Sequence, residues 1–565
     1  MKALLPLIGA SAIFFLVVNA EVRNTDSDPA GSLHLSQLLI QHQTLRFDDH
    51  LLGMQGGLHI KEAANGHYYY YFPIGTSLFS APLVCAANML GEDMFQSDYK
   101  TQIAIAALLC AAVYLIIYAT LRCYLAPWPS FAVSTVSFLG SSLMSTMGTA
   151  LWSLNFTTLF TGIGLYMLAL HDSGKTKTVN PYLLGAVLFS AYLCRPTASV
   201  FAACVVVYVF LRQRSAAYRL SAALSLLFVL FAVFSLFEYG KILPDYYSPG
   251  RLETGAFWTA LYGNLLSPAR GILIFSPFLV PVFFGAIVYF RELRSQGMFY
   301  LVSVWFVLHL ATVSNFPHWW GGWSYGSRLL ADALPGLILL TALLWRGISG
   351  AAAKKWITVA CAAVFFVLGA AGIFINTAQG LYNPYAGQWW NTFPNINEHT
   401  ERLFDWRYPQ FLEGKRQLYM RTEGLLRVYE SGISMISKGK PVALFPGHWD
   451  LGQGIPIIWD EGRRASVLFK AGDIPKRPGY ALLIKAGSSR GQRVDIRING
   501  APLGGLIFGR SPEEKAVVFD GSLLIPMGMN EIEFSIPELK DAAQKEPKGY
   551  GFALALTDLR IIVPD

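Results

Sequence analysis

Charge is what this sequence has too little of. Of its 565 residues only 14% are Asp, Glu, Lys or Arg, against 53% hydrophobic. A soluble globular chain carries about 25% charged and about 45–50% apolar residues. The shortage excludes a soluble enzyme, a disordered chain and a nucleic-acid binder, although the net charge is +8 and the pI is near 9.0. Cysteine is also scarce. Cys85, Cys110, Cys123, Cys194, Cys204 and Cys361 all lie in or beside apolar segments, and none follows. Their spacing offers no CxxC pair and no Cys/His metal set. Buried apolar thiols are therefore expected, not a disulfide framework.

What is present is unevenly spread. Residues 1–374 hold 36 charged residues, whereas the shorter stretch 375–565 holds 44. That contrast predicts a polytopic α-helical membrane domain over 1–374, a helical or irregular connector over 375–442 and a water-soluble domain after it. Crossing ~30 Å of hydrocarbon takes about 20 apolar residues. Such runs occur near 3–20, 101–120, 128–147, 152–170, 181–194, 196–211, 217–237, 271–290, 297–314, 329–345 and 355–374. A further run at 73–90 is interrupted by Pro73, Gly75 and Pro82.

The positive-inside rule arbitrates that last run. If it does not cross and the amino terminus is cytoplasmic, the cytoplasmic ends carry 12 basic residues against two acidic ones, Asp172 and Glu292. The rest of residues 1–374 then holds 9 basic and 13 acidic residues. A full crossing at 73–90 would reverse every later loop and break the rule. About eleven spans are expected, with 73–90 re-entrant or interfacial and the carboxyl-terminal domain outside. Residues 1–20 also suit a cleavable signal peptide ending Val18-Asn19-Ala20; with ten spans behind them, a retained helix is preferred. Either way Glu21 starts outside.

On this topology the outer segments are 21–100, 148–151, Arg195, 238–270, 315–328 and everything after 375. The first opens with Asp26 and Asp28 close to the headgroups, followed by an amphipathic stretch at Leu33, Leu35, Leu38, Leu39 and Ile40. Asp28-Pro29 suits a helix cap, but a carboxylate there could also deprotonate an acceptor hydroxyl. Asp48, Asp49 and His50 form a second polar cluster that a solvated loop explains equally well. Tyr70 and Tyr71 lie in HYYYYFPIGTSLFSAPLV, which reads either as an interfacial aromatic belt or as the lining of a sugar or phosphate site. His318, Trp319, Trp320, Trp323 and Tyr325 surround a Gly-Gly pair in NFPHWWGGWSYGSR. Indole and phenol faces stack on sugar rings, and Arg328 could grip phosphate; an i,i+4 pair with Asp332 is the competing reading. Arg195 stands between two apolar runs, where a charge is costly unless it meets an anion. Lys241 and Arg270 flank the 238–270 loop as further phosphate candidates.

Taken in order, the early acidic motif, the interfacial helix, YFPIGTSLFSAP and WWGGWSYGSRLLADALP resemble the GT-C glycosyltransferase superfamily. The nearest subgroup is the bacterial relatives of protein O-mannosyltransferases and lipid A aminoarabinose transferases. The resemblance covers roughly 1–410, including LFDWRYPQFL at 403–412. It implies an inverting transfer of sugar from a polyprenyl-phosphate carrier to an acceptor outside the cytoplasm, with Asp26, or else Asp28, as general base. Arg195, Arg328, Lys241 and Arg270 would hold the carrier phosphate, and the aromatic residues named above the sugar or acceptor. The segment around 148–155, with TALWSLNF at 149–156, lacks the second acidic residue of some relatives, so a divalent metal gains no support. No GxxxxGK[ST] loop occurs, so neither does a soluble nucleotide-sugar donor. The expected partners are the lipid-linked sugar, a glycan, lipid or protein acceptor, and membrane lipid. The expected location is a bacterial inner membrane with its active site facing the periplasm. A transporter of lipid-linked saccharide and a polysaccharide-binding scaffold are the alternatives.

From 443 onward, runs such as SVLFK, YALLIKAG, RVDIRING and NEIEFSIP alternate apolar and polar residues between Gly, Pro and Asn turns. They predict a β-sandwich over 443–565, jelly-roll-like in character. Carbohydrate binding and a structural cap are both open roles for it.

Overall fold

The computed structural model describes the chain except residues 1–3, 26–27, 50–57, 96–97, 253–254, 351–354, 393, 415–416, 419, 421–427, 430–432, 438–439, 442–455, 459–463, 472–478, 489–490, 492, 527, 538–553 and 563–565. Two units result. The first comprises Met1–Gly387 and His399–Leu412; the second comprises Gln388–Glu398 and Glu413–Asp565. The region expected as a connector is thus shared between them.

The first unit is helical because long apolar runs can satisfy their backbone polar groups only internally when water is excluded. Its helices are α1 (Leu5–Val18), α2 (Ser32–Gln41), α3 (Ile74–Met89), α4 (Tyr99–Leu121), α5 (Pro127–Leu139), α6 (Ser153–Asp172), α7 (Pro181–Cys194), α8 (Ala198–Arg212), α9 (Arg214–Tyr239), α10 (Phe257–Leu266), α11 (Ile272–Phe275), α12 (Leu279–Val288), α13 (Phe290–Leu293), α14 (Gly297–Ser314), α15 (Leu334–Gly350) and α16 (Lys355–Ile373). Asn180 shows how a start is fixed. Its side chain accepts from the Tyr182 and Leu183 N–H groups, with Pro181 in the first turn.

Among the described residues, six helices are long and apolar enough to cross a membrane: Tyr99–Leu121, Ser153–Asp172, Arg214–Tyr239, Gly297–Ser314, Arg328–Ile348 and Val359–Tyr382. The expected eleven exceed this number, and several of the remaining runs form shorter apolar helices. At 1.5 Å per residue, the 14 residues of α1 or α7 span only about 21 Å. The run at 128–147 ends its α-helix at Leu139 and resumes as a π-helical turn, Leu143–Met147. The run at 271–290 is broken between α11 and α12. The interrupted run at 73–90 is one helix, α3, with Pro82 inside it.

Burial sorts these helices. Within Arg328–Ile348, 83% of the most apolar window is buried, against 22% within α9. The first is a central helix, and α9 turns Leu226, Val229, Leu230, Phe234 and Phe237 outward, as a lipid-facing helix does. Helix α1 belongs to the core: Ile13 and Val17 are buried, and the Leu16 carbonyl accepts from the Tyr382 hydroxyl at 2.8 Å. Gly75 sets the closest backbone approach. A Cβ on it would lie 2.5 Å from the Leu193 carbonyl carbon and 2.6 Å from the Cys194 nitrogen. Only glycine lets α3 sit against the end of α7 in this way.

The second unit is mainly antiparallel β structure. In chain order its strands are β3 (Val428–Tyr429), β4 (Ile433–Ser434), β5 (Ile436–Ser437), β6 (Lys440–Pro441), β7 (Ile457–Ile458), β8 (Arg464–Ala471), β9 (Tyr480–Gly487), β10 (Arg493–Ile498), β11 (Ala501–Ile507), β12 (Glu513–Phe519), β13 (Met529–Ser535) and β14 (Leu554–Ile562); β1 (Ile60–Glu62) and β2 (Tyr68–Tyr70) belong to the helical unit. One sheet runs β11-β10-β13-β8-β3 and another β12-β9-β14-β4. Val467, Phe469, Ile496 and Phe534 of the first share one buried cluster with Leu482, Ile484, Leu559 and Ile561 of the second. Alternation in β13, where Asn530, Ile532 and Phe534 are buried, is the period-2 signature that places one strand face inward.

Candidate functional site

Segments from four parts of the helical unit meet at one set of helix ends. The first is a small ribbon in which Ile60 pairs with Tyr70 and Glu62 with Tyr68. Asp48 holds it: one carboxylate oxygen accepts from the Tyr68 N–H at 2.8 Å and the other lies 2.7 Å from His67 Nδ1. Burial pushes the Asp48 carboxyl upward, but the Tyr68 N–H and His67 more than offset it, leaving its pKa below 3.8. Arg46 then ties the ribbon to the end of α9 through Glu238 at 3.1 Å. The cluster at Asp48 is thus a fastening.

At the ribbon's end the Tyr70 hydroxyl donates to the Asp28 carbonyl at 2.5 Å. Burial pushes the Tyr70 phenol well up and the Asp28 charge adds to this, so it remains a donor. The Asp28 carboxylate reaches the Arg328 guanidinium at 2.9 Å. That guanidinium lies 4.4 Å from the centroid of the Trp152 ring at the start of α6. The structure therefore brings together Asp28, Tyr70 and Arg328. Asp26 lies outside the described residues.

The loop at 315–328 is pinned from beneath. Gly321 and Gly322 both take positive φ, +72° and +67°, the left-handed region that a glycine pair enters without strain. Arg270 then grips the loop backbone. Its Nε donates to the Trp320 carbonyl at 2.6 Å and one terminal nitrogen to Gly322 at 3.1 Å; the other bonds Gln410 at 2.6 Å. Burial, with the nearby charges of Arg328 and Arg402, lowers Arg270 to about 9, still charged at neutral pH. Tyr325 is buried and donates to the Ile375 carbonyl at 2.6 Å. Trp319 is buried against Gly263 and Phe404. These three residues, expected to bind ligand, make contacts that build the loop. His318 and Trp323 are exposed and Trp320 is half-buried, with the His318 and Trp320 rings 5.0 Å apart.

Arg195 and Asp332 are also spoken for. Arg195 donates to one Asp332 carboxylate oxygen at 3.2 Å, and His309 Nε2 lies 2.9 Å from the other. The Arg328–Asp332 pair that i,i+4 spacing offered does not form; Arg328 meets Asp28, and Asp332 meets Arg195 and His309. Lys241 makes only an exposed pair with Asp245. Sequence reading missed His309, although an ionisable residue inside an apolar run is itself a signal. It also passed over Trp152, Lys61 and Arg251, for which no local motif exists. Among the described residues no three His, Cys, Asp or Glu side chains gather as a metal site.

Beside the ribbon a groove of about 640 Å³ opens between α3, α7 and α9. Ile74, Leu78, Phe189, Leu227 and Phe231 line it, and Arg46 and Glu238 lie at its polar margin.

No family model matches this chain, and no curated protein does either. Partial similarity exists to solved structures. One is a GH26-CBM35 β-(1,4)-mannanase from Podospora anserina, with 16% identity over 24% of this chain and 28% of that one, TM-score 0.17. Another is the CBM36-1 domain of a multidomain xylanase from the hindgut metagenome of Trinervitermes trinervoides, with 14% identity over 24% of this chain and 99% of that one, TM-score 0.16. A third is a carbohydrate-binding module CBM36 in complex with calcium and xylotriose, with 11% identity over 23% of this chain and 97% of that one, TM-score 0.15. TM-scores this low assign neither fold nor activity.

Proposed function

We propose that this protein is a membrane glycosyltransferase that moves a sugar from a polyprenyl-phosphate carrier to an acceptor hydroxyl on the outer face of a bacterial inner membrane. One observation carries the reading: Asp28 and Arg328 meet at 2.9 Å, with the arginine backed by Trp152. A carboxylate and a cation in one place supply the two charges the reaction needs. The acceptor oxygen forms a bond to the sugar's anomeric carbon as the bond from that carbon to the carrier phosphate breaks. The hydroxyl proton passes to Asp28 or Asp26, and the phosphate leaves with the bonding electrons, its charge met by Arg328. The groove suits the carrier's hydrocarbon chain. No metal step is included.

A second reading, transport of a lipid-linked saccharide without chemistry, draws on the buried Arg195–Asp332–His309 cluster, since ionisable groups inside spans mark transport pathways. Membranes containing the protein, supplied with polyprenyl-phosphate arabinofuranose, mannose, aminoarabinose or glucose, should label an endogenous glycan, lipid or protein acceptor. Asp26→Asn and Asp28→Asn should be tested separately, and one of them should cut transfer by about 10²-fold or more. Full transfer by both, or movement of the lipid across the bilayer with no transfer by the parent, would overturn the proposal.

A further inference from the structure

Among the described residues, two cations near the Asp28–Arg328 pair have no acidic partner. Lys61 Nζ sits 3.9 Å above the Tyr71 ring, and Arg251 Cζ lies 5.8 Å from the same ring. Arg251 also stacks on Tyr246 at 3.9 Å and lies 5.3 Å from the Phe316 ring. It therefore touches the first-loop ribbon, the 239–256 segment and the 315–328 loop at once. Among the described residues neither Lys61 nor Arg251 pairs with a carboxylate. Among the described residues, the guanidinium of Arg251 donates to the Tyr246 carbonyl at 3.0 Å, which leaves other donors of its fork unspent. Stacking on a ring holds a guanidinium by its face and turns its N–H edge outward.

This patch is continuous with the proposed reaction site. His59 lies 5.0 Å from Phe72, and Phe72 lies 5.4 Å from Tyr246 and 5.7 Å from Tyr70, whose hydroxyl holds Asp28. Burial lowers the His59 pKa; the Asp28 charge opposes this and the Lys61 charge adds to it. It is mostly neutral at pH 7, so it does not neutralise a bound anion and adds no third charge. By contrast Arg195, Arg328 and Lys241 each already face a carboxylate.

We propose that Lys61 and Arg251 form a second anion-binding site, beside Asp28 and Arg328, for a phosphate or carboxylate carried by the substrate. This rests on the proposed glycosyl transfer only for what the anion belongs to. If Arg328 meets the departing carrier phosphate, the second site reads a separate anionic group on the acceptor.

The test uses the purified full-length chain in detergent and follows intrinsic tryptophan fluorescence. The probes are citronellyl phosphate, inorganic phosphate, glucuronate and, as the neutral control, glucose. Lys61→Met with Arg251→Gln should weaken binding of the anionic probes at least tenfold while leaving glucose unchanged. Arg251→Lys, which keeps the charge but loses the planar fork, should recover only part of the loss. Lys177→Met, which removes an exposed cation elsewhere, should do nothing. Loss confined to citronellyl phosphate would assign the site to the lipid carrier, and loss with glucuronate to a free anionic acceptor; both uphold an anion site. Unchanged affinity in the double variant, with its elution profile and helical signal intact, would overturn it. So would an equal loss in Lys177→Met. Since the readout is binding, the site stands or falls independently of whether Asp28→Asn abolishes transfer.

Discussion

Removing charge from Asp332 should unfold the helical unit far more readily than removing any exposed ion pair. Asp332 and His309 side chains are 3% and 1% exposed, and Arg195 is 9% exposed. Water cannot therefore replace a lost partner. Breaking a buried pair by neutralising one member costs about 3–5 kcal/mol, because the other charge is left stranded. Each 1.4 kcal/mol is about a factor of ten, so Asp332→Asn should lower the folding equilibrium by roughly 10²–10³·⁵. The assay is an SDS titration of the full chain from mixed micelles, read by tryptophan fluorescence. A second arm separates stranded charge from lost packing. Arg195→Met, His309→Phe and Asp332→Leu together exchange the whole cluster for apolar volume, and should return to within about 1–2 kcal/mol of the parent. Lys241→Met, which breaks an exposed pair, sets the baseline at less than about 1 kcal/mol. If Asp332→Asn falls on that baseline, the cluster is solvated and the reasoning fails. A triple variant as unstable as the single one would show that geometry, not charge, matters there.

Three further outcomes are expected. Gly75→Ala should destabilise by about 1–3 kcal/mol in the same titration, because the new methyl meets backbone that cannot rotate away; a neutral result would refute the close approach of α3 to α7. Tyr325→Phe should cost about 1–3 kcal/mol by orphaning the buried Ile375 carbonyl, whereas Trp323→Ala at an exposed position should stay within about 0.5 kcal/mol; equal effects would contradict the division of the aromatic loop. Asp48 has a lowered folded pKa, so its contribution is complete above 3.8 and is lost as pH falls through the folded value. Hydrogen exchange across residues 60–70 should accelerate relative to Asp48→Asn when pH drops from about 5 to about 2; parallel profiles would remove Asp48 as the fastening.

Much of the helical unit was legible because an apolar run declares itself whatever it packs against. Its limits were not. Whether a run such as 128–147 continues as one helix depends on the turn after Leu139, and apolar composition does not encode that turn. The site was legible in outline and misleading in pairing. Spacing along a helix offered Arg328 the carboxylate of Asp332, but Asp28 and His309 arrive from elements hundreds of residues away or on another helix. The aromatic loop makes the same point. Trp319 and Trp323 are chemically alike, and only the neighbours Gly263 and Phe404 decide that one is buried. Lys61 and Arg251 belong to no motif, and their juxtaposition exists only after three loops converge.

Tyr70 and Arg328 hold different parts of the same residue: the tyrosine takes the Asp28 carbonyl, the arginine its carboxylate. The backbone therefore stays anchored when the carboxylate lets go. Exchanging Arg328 for another partner needs rotation about side-chain bonds alone, a picosecond-to-nanosecond event for a partly exposed group, rather than a loop rearrangement orders of magnitude slower. The ribbon and its tyrosine thus set a clock: in the proposed transfer, freeing Asp28 is too fast to be the slow step.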